Sequence, residues 1–378
     1  MIREWFTAAS SVFGIDLGHR SMKIARLSEN QPRIEPIASV RFESGSEDEI
    51  TESLSSILGS ELLSQSVCVV SLPREDVCIH TLRLPCQGEK ELRKTVAREA
   101  SSRFDLDPET MEVDCIRTGA VHSAAAGGQE VVIYSASHRI IDMCLRPLIR
   151  VGLKPVRVET NFSALARYAT RWVSNDDSAK SPVAVLDLGA RGSTLIVVRE
   201  SNITLCRPIA LGDEQMTRSV GKYLNISMSS AAKVRALRIW QAATCGGASS
   251  VFDPEHDREL RKAVHPVLLE LIEEISTGLW SDAAAFHGHS VDRLLLTGCA
   301  AHESGFAELV AKACHLPVTV DPGLLFDSQD RIRIGDTSVE GKEPASAWSV
   351  AVGLCLGDSA GDQSRRSDFG DFVLRRAA

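Results

Sequence analysis

Phe13-Gly-Ile-Asp-Leu-Gly18, running through His19-Arg-Ser21 into Met22-Lys-Ile-Ala-Arg-Leu27, is written a second time in this chain. Val183-Ala-Val-Leu-Asp-Leu-Gly189 runs through Ala190-Arg-Gly-Ser193 into Thr194-Leu-Ile-Val-Val198. Each copy is an apolar strand, Asp-x-Gly, a short polar turn and a second apolar strand. The tripeptide alone says little, since Asp321-Pro-Gly323 and Asp368-Phe-Gly370 also carry it without a hairpin setting. The two copies in context each open one half of the chain, and that pairing is the specific signal. Glycine at the turn permits backbone geometry that other residues resist, so successive N–H groups can converge on an anion such as phosphate. An Asp at the strand end suits Mg²⁺ held through its water shell. Two such hairpins facing across a cleft would clasp a nucleoside polyphosphate from both sides. The plainer alternative is two tight hairpins whose Asp caps the turn.

A third stretch extends the pattern. Asp292-Arg-Leu-Leu-Leu-Thr297 reads as a buried strand ending in Gly298-Cys-Ala-Ala301, ahead of a helix predicted over Glu303–Cys314. A strand-to-helix turn of small residues lets a flat base approach the backbone closely. Alone, it is an ordinary turn of its kind.

The chain has 378 residues, 44% of them hydrophobic and 24% charged, enough for two or three soluble domains with sizeable cores. Its 42 Lys and Arg against 50 Asp and Glu give a formal charge of −8, which argues against a nucleic-acid partner. None of the ten cysteines forms a Cys-x-x-Cys pair, and most sit in apolar runs such as Val67-Cys-Val-Val70, so structural thiols in a reducing compartment are expected. Met1–Ser11 carries no apolar stretch of signal-peptide length, and no apolar run reaches the roughly 18 residues of a membrane span.

Strand and helix signals alternate, which places the chain in the α/β class. Strands are expected at Phe13–Leu17, Met22–Leu27, Ile34–Phe42, Val67–Leu72, Cys78–Leu84, Met111–Ile116 and Glu130–Ser135. They continue at Val156–Glu159, Val183–Leu188, Thr194–Val198, Ile203–Pro208, Arg293–Leu296 and Val318–Val320. Helical spacing is read over Glu89–Arg103, His138–Val151, Asn161–Val173, Glu214–Leu224, Ser229–Trp240, Glu255–Phe286, Glu303–Cys314 and Ser346–Leu356. Pro147 and Pro266 fall inside two of these and are expected to kink or break them. Ser44–Asp48, Ala120–Gln129 and Ser174–Ser181 read as loops, the last as a hinge between halves. His287-Gly-His289 lacks a third ligand and reads as solvated loop; Glu270, Glu273 and Glu274 read as the wet face of a helix.

Asp-x-Gly near the start, Asp-x-Gly at mid-chain and Thr-Gly-small-Ala late resemble, in that order, the phosphate-1, phosphate-2 and adenosine motifs of the actin-like ATPase fold. Within that superfamily the chain resembles the PilM family of FtsA-related type IV pilus assembly proteins. Beyond the opening hairpin, the resemblance rests on Val69-Val-Ser-Leu-Pro73, Leu82-Arg-Leu-Pro85, Glu91-Leu-Arg, Val96-Ala-Arg-Glu-Ala100, Gly152-Leu-Lys-Pro155 with Glu159, and Arg207-Pro-Ile-Ala-Leu-Gly212 through Leu224-Asn-Ile226. It implies an α/β, two-lobed actin-like (Hsp70/actin/FtsA) fold with an inserted strand–helix–strand subdomain in the first lobe. The first-lobe core would be 12–73 and 155–181, with the insertion at 74–154. The second-lobe core would be 182–224 and 290–343, with a helical insertion at 225–289. A helix at 344–358 would return to the first lobe, and 359–378 would be a tail.

The resemblance implies ATP held by Asp16, Gly18, Arg20, Ser21 and Lys23 on one side. On the other it implies Asp187, Gly189, Gly192, Ser193, Thr194, Gly212, Arg235, Gly298 and Cys299, with Mg²⁺ at Asp16 and Asp187 through water. No residue is assigned to catalysis proper; water positioning by Asp16 and Asp187 suits at most a slow ATPase. Three departures weaken the site. Asp213 stands where the family has a second glycine, and its charge would repel phosphate. Ala232 and Arg235 stand where the family has the Glu and Lys that hold the ribose, and a lost ribose acceptor costs about 1 kcal/mol. The adenosine turn carries Cys299 in place of glycine.

The function implied is a cytoplasmic scaffold, peripheral at the inner face of the inner membrane. It would belong to the assembly platform of a type IV pilus or a related type II secretion system. Its partner would be the N-terminal cytoplasmic segment of a bitopic PilN-type protein, gripped by strand addition or groove docking between the first lobe and its insertion. Membrane contact would be indirect. The alternatives are an FtsA-like division protein and a small-molecule kinase of the actin-like superfamily. In the tail, Phe369, Phe372 and Val373 have helical spacing, but Gly370 and two Asp residues argue against an amphipathic anchor and for a flexible tail or a docked strand.

Overall fold

A computed structural model describes residues 12–28, 33–58, 66–122, 128–174, 181–245, 253–323, 343–357 and 371–372. The chain divides into two units. One comprises Met1–Arg171, Leu324–Gly341 and Trp348–Ala378, the other Trp172–Gly323 and Lys342–Ala347. Residues 123–127 and 175–180, the middles of two predicted loops, lie outside the described residues, as does most of the tail.

In the first unit, β1 (Val12–Leu17), β2 (Ser21–Ser28) and β3 (Arg33–Arg41) form an antiparallel meander. β4 (Val67–Ser71) lies parallel beside β1, and β8 (Lys154–Glu159) parallel beside β4. Every residue of β4 is buried, which explains why its sequence is one apolar run rather than an alternation. The helix α9 (Ser349–Leu356) packs against β1, β2 and β4. A two-residue strand near the C-terminus, β14 (Asp371–Phe372), pairs antiparallel with β8 and completes the order β14-β8-β4-β1-β2-β3.

Between β4 and β8 the chain builds a separate three-stranded antiparallel sheet, β5 (Cys78–Pro85), β6 (Met111–His122) and β7 (Gly128–Ser137), in the order β5-β7-β6. Its small core joins Leu84, Val131 and Ile133 to Leu92 and Val96 of α2 (Glu89–Phe104). α3 (His138–Arg150) then leads into β8, and α4 (Asn161–Ser174) follows it.

The second unit repeats the plan. β9 (Val183–Leu188), β10 (Ser193–Arg199) and β11 (Asn202–Ile209) form the meander. β12 (Arg293–Thr297) and β13 (Val318–Val320) add in parallel, giving β11-β10-β9-β12-β13. α5 (Asp213–Leu224), α6 (Met228–Cys245), α7 (Pro254–Ala285) and α8 (Phe306–Cys314) complete it. One core runs from Leu186 and Leu195 of the sheet to Met216, Leu268, Leu271 and Phe306 of the helices, each at most 2% exposed. Fully burying such a side chain contributes roughly 1.5–3 kcal/mol.

Two expectations are refined. Of the kink or break expected at each proline, the break does not occur: α3 runs through Pro147 and α7 through Pro266. A proline removes one helical N–H, and here the buried neighbours Leu145 and Leu148, or Val264 and Leu268, hold the helix in place across it. The loop read at Ser44–Asp48 is cut short by a helix, α1 (Glu47–Ile57), absent from the periodicity reading. Ser46 caps it by accepting from the Glu49 N–H, and Ile50 and Leu54 are its only buried residues.

Candidate functional site

The two Asp-x-Gly hairpins are built alike to the residue. In the first, Asp16 faces Lys23 and Leu17 faces Met22, and the Gly18 N–H donates to Ser21 O at 2.9 Å. In the second, Asp187 faces Thr194 and Leu188 faces Ser193, and the Gly189 N–H donates to Gly192 O at 3.1 Å. The likeness extends to the parallel neighbour. Ser71 on β4 donates its hydroxyl to Asp16 Oδ1 at 3.0 Å, and Thr297 on β12 donates to Asp187 Oδ1 at 3.1 Å. Each carboxylate is therefore oriented by a hydroxyl one strand away. Ser71 was not among the residues singled out from the sequence, because its role shows only when β4 is laid beside β1.

The predicted site residues distribute over the two units. Asp16 is near the end of β1, Gly18 and exposed Arg20 are in the turn, and Ser21 and buried Lys23 begin β2. In the second unit Asp187 is near the end of β9, Gly189 and Gly192 are in the turn, and Ser193 and Thr194 are buried at the start of β10. The Ser193 hydroxyl is engaged by Leu211 O at 2.6 Å. Gly212 caps α5, Arg235 is on α6, and Gly298 and Cys299 follow β12.

The glycines of the second unit are there for backbone packing. A Cβ on Gly212 would lie 2.5 Å from Gly192 N, and one on Gly298 would lie 2.4 Å from Leu188 O. Gly298 also has φ +91, and it is fixed by Ser346, whose O accepts from the Gly298 N–H at 2.8 Å. The first N–H groups of α5 have partners as well. Gly212 N donates to Gln215 Oε1, Asp213 N to Gly189 O and Glu214 N to Ala190 O. The start of α5 is thus stitched to the β9–β10 turn, with Asp213 and Glu214 in its first helical turn.

The residues expected to hold the nucleoside depart furthest from a nucleotide pocket. Arg235 is 2% exposed. Its Nη1 donates to Asp213 Oδ1 at 2.5 Å, to Asp213 O at 3.0 Å and to Thr217 Oγ1 at 2.7 Å. Its Nη2 reaches Glu303 Oε2 at 2.7 Å, while the other oxygen of Glu303 accepts from Arg238 at 2.8 Å. Arg238 continues to Asp257 at 2.8 Å. Burial works against the charge of Arg235, but the carboxylates of Asp213 and Glu303 outweigh it and hold the guanidinium above its ordinary value. From the sequence Glu303 reads only as the start of a helix, which in fact begins at Phe306, and nothing in its sequence setting marks it as a partner for α6. Ala232, where the resemblance would place a Glu, is exposed.

Taken unit by unit, the residues expected to hold ATP and Mg²⁺ fit them unevenly. Each turn with its oriented Asp carboxylate suits phosphate and a water-shelled cation. Arg235 and Ala232 do not suit a ribose, because one is committed to protein carboxylates and the other has no acceptor. Among the described residues no group of three or more His, Cys, Asp or Glu is placed to hold a metal ion directly. Burial pushes the thiols of Cys115 and Cys144 up to about 12 and raises that of Cys68 further, so these three are inert at neutral pH.

Two sheets of one strand order, each opened by the same Asp-x-Gly hairpin, define an actin-like ATPase fold. Solved structures agree. The chain is similar to one in a PilM–PilN type IV pilus biogenesis complex, with TM-score 0.68 and 19% identity over 91% of this chain and 97% of that one. It is also similar to the ethanolamine utilization protein EutJ from Carboxydothermus hydrogenoformans, with TM-score 0.52 and 12% identity over 93% and 90%. The model of the family "Type IV pilus assembly protein PilM" matches residues 14–358, and the chain belongs to that family. Among the described residues, no helix is long and apolar enough to cross a membrane.

Proposed function

We propose that this protein is an actin-like scaffold of a type IV pilus assembly platform. It works at the inner face of the inner membrane by holding the N-terminal cytoplasmic segment of a bitopic PilN-type partner. The observation that carries the partner claim is the state of β8. It is the last full-length strand of the first-unit sheet, and its outer edge accepts an added strand, since Asp371 pairs with Glu159 and Phe372 with Val158 there. The same two residues lie against β6 of the inserted sheet. An extended peptide laid along β8 would gain backbone hydrogen bonds from the edge and side-chain contacts from the insertion. Val156, the extra residue where the β4–β8 register shifts, is 46% exposed beside that edge.

In this reading the protein's work is grip, and turnover is not required of it. The glycine turns, with Asp16 on one and Asp187 on the other, are what the resemblance assigns to ATP and Mg²⁺, and the grip does not depend on their being occupied. The Asp residues and their Ser71 and Thr297 donors would serve as positioning groups. The domain limits given above, with the inserted subdomain at 74–154, are part of the proposal, because the insertion forms one wall of the grip.

The test is anisotropy of a labelled peptide, the cytoplasmic N-terminus of the one-span protein encoded beside this chain, titrated with purified protein. Saturable binding that weakens when Val158 is replaced by Pro supports the scaffold. No binding at any accessible concentration sinks it and returns weight to the kinase alternative.

A further inference from the structure

Three stretches distant in sequence meet around one side chain in the second unit. They are the start of α5 at Gly212–Asp213, the middle of α6, and the turn that leaves β12 at Gly298 and reaches Glu303. The side chain is Arg235, which touches Asp213 on one side and Glu303 on the other. We infer that the nucleoside end of this site is filled by the protein's own charges: Arg235, clamped between Asp213 and Glu303, ties α5, α6 and the β12 turn together, and the unit takes no nucleotide in its ground state. This rests on the reading that the site descends from a nucleotide pocket.

Two of the departures from the family pattern, Asp213 and Arg235, are then one change rather than two losses. Asp213 brings a carboxylate to the start of α5, where a glycine would bring none. Arginine at 235 has a planar fork that reaches two carboxylates lying on different sides, which the single ammonium of a lysine could not do with the same geometry. It also has donors left for Asp213 O and Thr217 Oγ1. Glu303 is shared with Arg238, so both of its oxygens are committed. A ribose entering here would have to separate Arg235 from Asp213. It would gain no replacement acceptor at exposed Ala232, and the buried Glu303–Arg235 pair would lose the partner that balances it. Burial of the arginine and glutamate side chains, at 2% and 1% exposed, shows that protein atoms already fill the place where these segments converge.

The experiment is calorimetric titration of Mg·ATP, alongside thermal melting with and without millimolar Mg·ATP, on the wild type and on the double variant Ala232→Glu/Arg235→Lys. The wild type is expected to give no saturable heat and no shift in melting temperature. The double variant is expected to bind and to melt higher with nucleotide than without. Saturable binding by the wild type overturns the inference. So does a cooperatively melting double variant that still ignores nucleotide, because the clamp would then not be what excludes it. Asp213→Gly/Arg235→Lys is run in parallel, since it opens the other side of the clamp should the first variant fail to fold. Partner-peptide binding is measured on the same samples. Its loss would count against the scaffold reading, whereas the nucleotide result bears on the clamp alone.

Discussion

Arg235 and Glu303, 68 positions apart in the chain, meet at 2.7 Å with both side chains almost entirely withdrawn from water. A buried pair of this kind gains little over a well-packed apolar pair, but it is costly to break from one side. Replacing Glu303 with Gln leaves two buried guanidinium groups facing a neutral amide. The expected loss is about 3–5 kcal/mol of unfolding free energy, read from urea denaturation. Asp257→Asn, at the more exposed end of the same network, should cost under about 1 kcal/mol. Equal costs at the two positions would mean that the network is not organised around Glu303.

Gly298 separates two reasons for a glycine. Its φ of +91 disfavours any other residue, and its missing Cβ makes room for Leu188 O at 2.4 Å. Gly119 has φ +77 and nothing within 4 Å of a Cβ. Gly119→Ala should therefore cost only the backbone term, about 1–2 kcal/mol. Gly298→Ala should cost more, since the clashing atom is backbone in the central strand β9 and cannot move aside. A Gly298→Ala protein as stable as the Gly119→Ala protein would show that the Gly298 loop is held less tightly than its contacts indicate.

These positions mark how far the sequence could be read. The doubled hairpin was legible because its information is local: strand, Asp-x-Gly, turn and strand lie within fifteen or so residues, and two copies check each other. Each three-stranded meander followed, since its strands are consecutive in the chain; the parallel neighbours β4, β8, β12 and β13 come from farther along it. Arg235 was legible as a residue of interest but not in its role, which depends on Glu303 from beyond the whole of α7. The same applies to Ser71 and Asp16, joined only when β4 lies beside β1. Helix α1 was missed for a different reason. Its apolar side is two buried residues, Ile50 and Leu54, too narrow for a periodicity reading. The signal that could have found it is Ser46 three positions before Glu49, the spacing of a capping box.

Glu49 also gives a prediction in pH. Its carboxylate accepts from the Glu43 N–H at 2.7 Å, then from the Ser44 N–H and hydroxyl and the Gly45 N–H. The Glu43 bond, followed by the Ser44 hydroxyl, lowers its pKa from 4.5 to about 2. A carboxyl whose folded pKa lies below its unfolded value stabilises the fold above the unfolded pKa, and that contribution fades as pH falls through the folded one. Glu49→Gln should thus melt lower than the wild type at pH 7, with the gap closing between pH 4.5 and about 2. A gap independent of pH over that window would assign the effect to packing rather than to charge.

The edge of β8 yields the last prediction. Asp371 and Phe372 occupy the edge to which a partner strand is proposed to add, so the tail and the partner compete for the β8 edge at Val158 and Glu159. A strand tethered to its own sheet acts at a high effective concentration even when each contact is weak. The partner's apparent affinity is reduced by the fraction of molecules whose edge is covered, and uncovering the edge restores it. A two-residue strand forms too few bonds to be occupied all the time, so the gain on removing residues 359–378 should be modest, about three- to tenfold. Asp371→Pro/Phe372→Pro in the full chain should give a similar gain by removing both backbone donors. A synthetic peptide spanning Ser367–Ala378 should bind the shortened chain and be displaced by the partner peptide. Tighter partner binding by both altered proteins, together with that displacement, is the expected result; unchanged affinity in both would place the partner's strand on some other edge.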